Sequence, residues 1–427
     1  MTKKITGKFV DDGYYRIKHP SGLDILIYPK ANSSTAYAIF GTKYGSIDNC
    51  FKRSDEPKAE TVPEGIAHYL EHKLFESEEG DAFERYAKTG ASANAFTSFD
   101  ATCYLFSCTD KFYESLEILL DFVQSPYFTK ETVAKEQGII GQEIKMYDDN
   151  PNWRVVFNHL KALYHNHPVK DDIAGTVESI AEITPEYLYR CYYTFYNLRN
   201  MALCIAGDVD VQKVEELCNQ LLKPAEPVEV DRIFPEEPAD IVTPYVEERL
   251  SVAIPVFQFG FKEDVTNSRR SEKDLAAVEV LLELLASDSS PLFRKLLDAD
   301  LISESSFSYE YFEGAGYASV FFSGESQNPK KVAEMILKEI QRLKEEGIPE
   351  EDFNRAKKSC YGQAVKALNS TASIANMMIS LTFSDRELLA YIDAFPALTK
   401  EEVEEKLRSV LTKEHSALSV VLPLEAE

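Results

Sequence analysis

Two runs of mainly apolar residues, Ala36-Tyr37-Ala38-Ile39-Phe40-Gly41 and Val252-Ala253-Ile254-Pro255-Val256-Phe257-Gln258-Phe259, each open a similar series of elements and read as strands. After the first run, the spacing of apolar positions predicts a helical stretch around Gly65 to Phe75, a second over Phe83 to Lys88, and a strand around Ala93 to Ser107. Helices from Phe112 to Val123 and from Lys130 to Tyr147 complete that series. After the second run come a helix over Glu272 to Ala286, a short piece over Pro291 to Leu297 and strands around Phe307 to Phe322. Helices from Lys330 to Glu346 and from Glu350 to Ala367 follow. The stretch KPAEPVEVDRIFPEEPAD, from Lys223 to Asp240, separates the two series with four prolines and many carboxylates, and offers little to bury. The order of elements is therefore repeated. It predicts an α+β chain of two similar α/β sandwich domains, each an antiparallel-rich sheet packed with helices: residues 1–222, a linker over 223–240, and residues 241–427.

Composition narrows the function. At 427 residues with 44% hydrophobic and 27% charged positions, the chain is globular and long enough for a large core. Its 46 basic and 71 acidic residues leave a net charge of −25. A nucleic-acid surface needs a basic patch to neutralise phosphates, so no nucleic-acid partner is expected. No run approaches the roughly 20 apolar residues that span a bilayer, and MTKKITGKFVDDGYY has no apolar segment behind its lysines. No membrane partner and a cytoplasmic location are the resulting expectations. The seven cysteines lack CxxC or CxC spacing, which argues against a disulfide framework and a thiolate metal site.

The sharpest chemical signal is His68-Tyr69-Leu70-Glu71-His72. On a helix, residues four apart share a face, so His68 and His72 present both imidazoles to one metal ion, while Glu71 lies near the same face. This is the HxxEH order, the reverse of HExxH. Thr61 and Glu64 have capping-box spacing with Pro63 near the first turn, and Gly80 offers a stop. A third ligand must come from elsewhere, because catalytic zinc takes three protein donors and keeps one position open. Glu136 and Glu143 on the helix from Lys130 are the candidates, two turns apart on one face. Gly138 and Gly141 between them each weaken a helix interior by about 1 kcal/mol, which points to close packing of that helix on another element.

These residues resemble the insulinase, pitrilysin and mitochondrial processing peptidase family of zinc metallopeptidases, and in particular its small bacterial processing-protease-like members. The resemblance rests on HYLEH at 68–72, KEQGIIGQE at 135–143, GASANAFT at 90–97 and NMALCIAGD at 200–208. It implies that His68, His72 and Glu143 bind one Zn2+ per chain. It further implies that Glu71 is the general base and that Glu136 supports the site as a carboxylate behind the ligands. A peptide substrate is implied to add to a sheet edge at Asn94, Ala95 and Phe96. The implied enzyme is a zinc-dependent endopeptidase or oligopeptidase acting on extended peptides, with this chain as one half of a two-subunit clamshell.

One departure stands out. Active assemblies of the family carry an arginine and a tyrosine seven residues apart after a Ser-Pro-Leu-Phe type segment, whereas Ser290-Pro291-Leu292-Phe293 is followed here by Leu297 and Glu304. The expected partner is then either a second copy or a related metal-free subunit that supplies the missing pair. Tyr309 and Tyr311 are candidates to compensate, although ordinary sheet positions account for both. The alternative function is an accessory or assembly subunit with little turnover of its own. A non-peptidase zinc hydrolase is disfavoured, since no GxxxxGK[ST] phosphate loop occurs.

Overall fold

The computed structural model describes residues 2–78, 80–224, 226–264 and 270–425. They divide into two compact units, the first drawing on residues 1–144, 172–233 and 364–390, the second on residues 145–171, 234–363 and 391–427.

The first unit is built on a seven-stranded sheet. Its strands are β1 (Thr2–Thr6), β2 (Gly13–Lys18), β3 (Asp24–Pro29), β4 (Ala36–Thr42), β5 (Ser92–Thr97), β6 (Thr102–Cys108) and β7 (Met201–Gly207). They lie in the order β1-β2-β3-β7-β4-β6-β5. Only β3 and β7 run parallel; the other pairs are antiparallel. The second unit holds β8 (Tyr245–Leu250), β9 (Val256–Lys262), β10 (Ser308–Gly314), β11 (Tyr317–Glu325) and β12 (Ser416–Pro423) in the order β8-β12-β9-β11-β10. Here too one pair, β8 with β12, is parallel. Strands β3-β7-β4-β6-β5 and β8-β12-β9-β11-β10 thus share one topology, as the repeated order of elements predicts. Where a single strand from Ala93 to Ser107 was expected, a hairpin forms. Ser98 N–H donates to the Ala101 carbonyl at 2.8 Å and turns the chain between β5 and β6.

The helices that bear on the site and the core are α1 (Ile66–Leu74), α2 (Lys130–Asp148), α3 (Pro151–Leu163), α4 (Glu272–Ala286) and α5 (Thr371–Phe383). Every residue of the central strands β4, β7 and β9 is buried, so both faces of each sheet are covered. The covering helices cross the sequence halves. Helix α5, from the second half, packs on β7 and β4 of the first unit, and α3, from the first half, packs on β12 and β9 of the second. A glycine lies beneath each. A Cβ on Gly41 of β4 would stand 2.6 Å from Cys103 Sγ and 2.8 Å from Ile379 Cδ1 of α5. A Cβ on Gly260 of β9 would stand 2.4 Å from the Val320 carbonyl and 2.6 Å from His159 Cε1 of α3.

The 223–240 stretch, read above as a linker, makes specific bonds. Val230–Arg232 pairs with Cys50–Arg53 in a small sheet of the first unit. In the second unit, the Glu237 carboxylate accepts from the backbone N–H groups of His165, Asn166 and His167 at 2.9, 2.6 and 2.8 Å. Lys262 Nζ donates to the same carboxylate at 2.6 Å. Although burial opposes it, this set of donors holds the Glu237 carboxyl below its ordinary range.

His159, wholly buried, is tied at both nitrogens. Nε2–H donates to the Ala417 carbonyl at 3.0 Å, and Nδ1 accepts from Gln258 Nε2 at 3.3 Å. The ring is therefore neutral, and burial pushes its pKa down to about 4. An unfolded histidine titrates near 6.5, so below that pH the unfolded chain takes up a proton that the fold refuses. Stability present above pH ~6.5 is lost as the pH falls towards ~4, by roughly 3 kcal/mol from this ring. Denaturant unfolding of the chelated protein across that window should show a shallower loss in His159→Gln; an unchanged slope would refute the assignment.

Candidate metal centre and peptide edge

Helix α1 does not begin with the capping box expected at Thr61 and Glu64. Glu60–Thr61 instead pairs with Cys50 and Phe51 as a short strand, and the helix starts at Gly65, whose φ is 84°. A Cβ there would meet the Ala174 carbonyl oxygen at 2.3 Å, so both the left-handed turn and the close backbone approach require glycine. The helix stops at Leu74, well before Gly80. It is almost entirely buried, and it is stapled to α2 by the Tyr69 hydroxyl, which donates to the Val133 carbonyl. Lys73 is fully buried and pairs with Glu76.

Helix α2 brings the two glutamates to the two histidines. His68 Nε2 and His72 Nε2 lie 3.2 Å apart. Glu143 Oε1 is 3.8 Å from the first and Oε2 is 3.5 Å from the second. Glu136 Oε1 lies 3.0 Å from the other nitrogen of His72, Nδ1. A carboxylate only accepts, so Nδ1 carries the proton and the Nε2 lone pair of His72 is left facing His68 and Glu143. His68 Nδ1 is buried and has no hydrogen-bond partner among the described residues.

The electrostatics follow from burial and these contacts. Burial, reinforced by neighbouring His72, pushes His68 down to about 4. Burial also lowers His72, but the hydrogen bond to Glu136 and the carboxylates of Glu71 and Glu143 outweigh it and raise the ring overall. The bond to His72 holds Glu136 below the usual carboxylate range, while burial raises Glu71.

The chemistry of the donor set suits a cation. Among the described residues, His68, His72 and Glu143 are the group whose ligand atoms all lie within 4.8 Å of one another. Two nitrogens bound at about 2.0–2.1 Å to one tetrahedral zinc ion stand about 3.3 Å apart, close to the 3.2 Å found here. Two imidazoles and one carboxylate also match a catalytic zinc site that keeps a fourth position open. Gly138 and Gly141 depart from expectation. A Cβ on either would meet nothing within 4 Å, so α2 is not pressed against another element there.

Beside α1 runs β5, which pairs only with β6 among the described residues and leaves its other edge free. Asn94 and Phe96 are exposed, whereas Ala95 and Thr97 are half-buried. Ala95 N–H donates to Asn94 Oδ1 at 2.9 Å. The strand ends at Thr97, whose hydroxyl donates to Glu71 Oε2 at 2.6 Å. The sequence places Thr97 on that strand but gives no sign of its contact with Glu71. The structure thus gathers His68, Glu71, His72, Glu136 and Glu143, with the edge strand joined to them through Thr97.

In the second unit, Leu297 lies on the helix Pro291–Asp298 and Glu304 is exposed. Tyr309 donates to Glu283 of α4 at 2.8 Å, and Tyr311 lies within 3.2 Å of both Glu263 and Glu313. Both tyrosine hydroxyls are engaged with carboxylates of their own unit.

Known proteins are similar to this chain in sequence and in fold. Residues 56–177 match the family model described as insulinase (peptidase family M16), and residues 182–360 match the M16 inactive domain. The chain is 40% identical to the uncharacterized zinc protease YmfH of Bacillus subtilis, over 99% of this chain and 100% of that one. A putative M16-like peptidase from Alicyclobacillus acidocaldarius superposes with a TM-score of 0.92 at 34% identity, covering 96% of this chain and 98% of that one. Pitrilysin shares the fold at a TM-score of 0.74 and 16% identity, with all of this chain matching 47% of that one.

Proposed function

Because this chain belongs to the insulinase (M16) peptidase family, we propose that it is a zinc-dependent endopeptidase or oligopeptidase cleaving extended peptides. The observation that carries the reading is the convergence of His68, His72 and Glu143, with Glu71 beside them on the same helix and tied to a free sheet edge. His68, His72 and Glu143 would hold the metal, and Glu136 keeps the His72 lone pair on its ligand side. Zinc, when bound, supplies a Lewis acid for the scissile carbonyl and lowers the pKa of the attacking water. Glu71 takes that water's proton and returns it to the leaving amine, so no acyl-enzyme forms. Backbone groups of the edge strand at Asn94, Ala95 and Phe96 pair with the substrate main chain and hold it extended, leaving side-chain selection to the surroundings.

The functional unit in this reading contains two chains, since the whole of this chain matches only 47% of pitrilysin. Leu297 and Glu304, standing where the family carries its arginine and tyrosine, favour a second reading. In it the chain turns over only with a metal-free partner that supplies the pair, or serves mainly in assembly. Hydrolysis of a quenched, unstructured peptide by the zinc-loaded chain alone separates the two. Turnover is expected; its absence with zinc bound would overturn the self-sufficient enzyme and direct the search to a partner.

A further inference from the structure

We infer that Thr97 is a positioning residue for the general base, fixing which oxygen of Glu71 is left to move the proton. The inference rests on the peptidase reading and adds to it a residue outside the metal ligands, the base and the peptide-pairing segment. Its ground is a set of hydrogen bonds whose directions are determined. Thr102, wholly buried on β6, donates to the Tyr44 carbonyl at 2.8 Å, and that carbonyl has no proton to offer. Thr102 has therefore spent its only proton, and it faces Thr97 with its lone pairs at 3.4 Å. The single proton of Thr97 goes to Glu71 Oε2 at 2.6 Å. One carboxylate oxygen is thereby occupied, and Oε1 remains for the attacking water.

The support beneath this contact is rigid. Thr97 is paired across the sheet with Thr102, and Thr102 with Thr42 of β4, so three threonines line one ladder. Thr42 in turn donates to the Phe195 carbonyl at 2.6 Å and is wholly buried. The position of the carboxylate is thus referred to the sheet rather than to α1 alone. The same strand carries Asn94, Ala95 and Phe96, so the segment proposed to set the register of the peptide also sets the orientation of the base. Misplacement of a reacting group by about 1 Å lowers rates by around a hundredfold, which gives the contact its expected weight.

The test compares Thr97→Val, which keeps the shape and removes the hydroxyl, with Thr97→Ser, which restores it. On a quenched peptide, Thr97→Val should lower kcat by about 10- to 100-fold while KM stays within about twofold. Zinc content and resistance to chelator competition should match the wild type, because Thr97 contacts no ligand. Thr97→Ser should recover kcat to within about threefold, because it restores the donor. A Thr97→Val enzyme with unchanged kcat overturns the inference, as does a loss confined to KM, or a Thr97→Ser as slow as Thr97→Val. A zinc-loaded wild type without turnover on its own overturns the self-sufficient peptidase on which this inference rests, and the inference with it. An active wild type with an unaffected Thr97→Val overturns the inference alone.

Discussion

Replacing Glu71 by Gln is expected to lower peptide hydrolysis by the zinc-loaded chain about a thousandfold, within the range for loss of a general base. Gln has nearly the shape of Glu and its carbonyl oxygen still accepts from the Thr97 hydroxyl, which donates at 2.6 Å in the native site. Only the capacity to hold a proton in transit is removed. Metal retention should be unaffected, since the three converging ligand groups are His68, His72 and Glu143. Stability should not fall at neutral pH either. Burial raises the Glu71 carboxyl, so its ionised form is held in the fold against a desolvation penalty that Gln does not carry. Parallel measurement of kcat/KM, zinc stoichiometry and thermal midpoint checks all three points. Activity within tenfold of the wild type would remove Glu71 from the mechanism.

The second large effect concerns stability. Gly260→Ala should destabilise the chain by about 3 kcal/mol, at the upper end for overpacking a close-packed interior. The new methyl would meet the Val320 backbone carbonyl at 2.4 Å, and backbone in the middle of a sheet has no room to retreat. Gly41→Ala meets side-chain atoms instead, Cys103 Sγ at 2.6 Å and Ile379 Cδ1 at 2.8 Å, which yield by small rotations. Its loss should be smaller, and Gly41→Val should restore the larger figure. Gly138→Ala and Gly141→Ala on α2 give the opposite sign. Nothing lies within 4 Å of the added carbon, so each should gain up to about 1 kcal/mol from helix propensity. Denaturant midpoints of the four alanine variants order them, and a Gly260→Ala as stable as the wild type would refute the packing argument.

The α+β class, the repeated order of elements and the cluster around HxxEH were legible in the sequence because each rests on local spacing. Histidines four apart share a face whatever the helix packs against, and glutamates seven apart do the same. What escaped local reading depends on distant partners. The start of α1 is set by the approach of Gly65 to the Ala174 backbone, more than a hundred positions away in sequence, and not by Thr61 and Glu64. The run from Ala93 to Ser107 mixes apolar and polar residues with no Gly or Pro to mark a turn, yet Ser98 and Ala101 close one inside it. Glycines 138 and 141 look like contact points only until the space beside them is seen. Thr97 acquires its role from a carboxylate 26 positions earlier. Helices α3 and α5 have no place in the sequence reading, and nothing local in them says which sheet each covers.

The crossing of α3 and α5 between the halves of the sequence sets the order of events during synthesis. The first sheet has all its strands once residue 207 has been made, yet the helix that covers β4 and β7 spans Thr371–Phe383. Until that segment leaves the ribosome, one apolar face of a finished sheet stays wet and available for aggregation. The nascent chain thus carries this exposed apolar face while residues 208–370 are made, and the final collapse joins α5 to β4, more than three hundred residues earlier, a topology that favours slow folding.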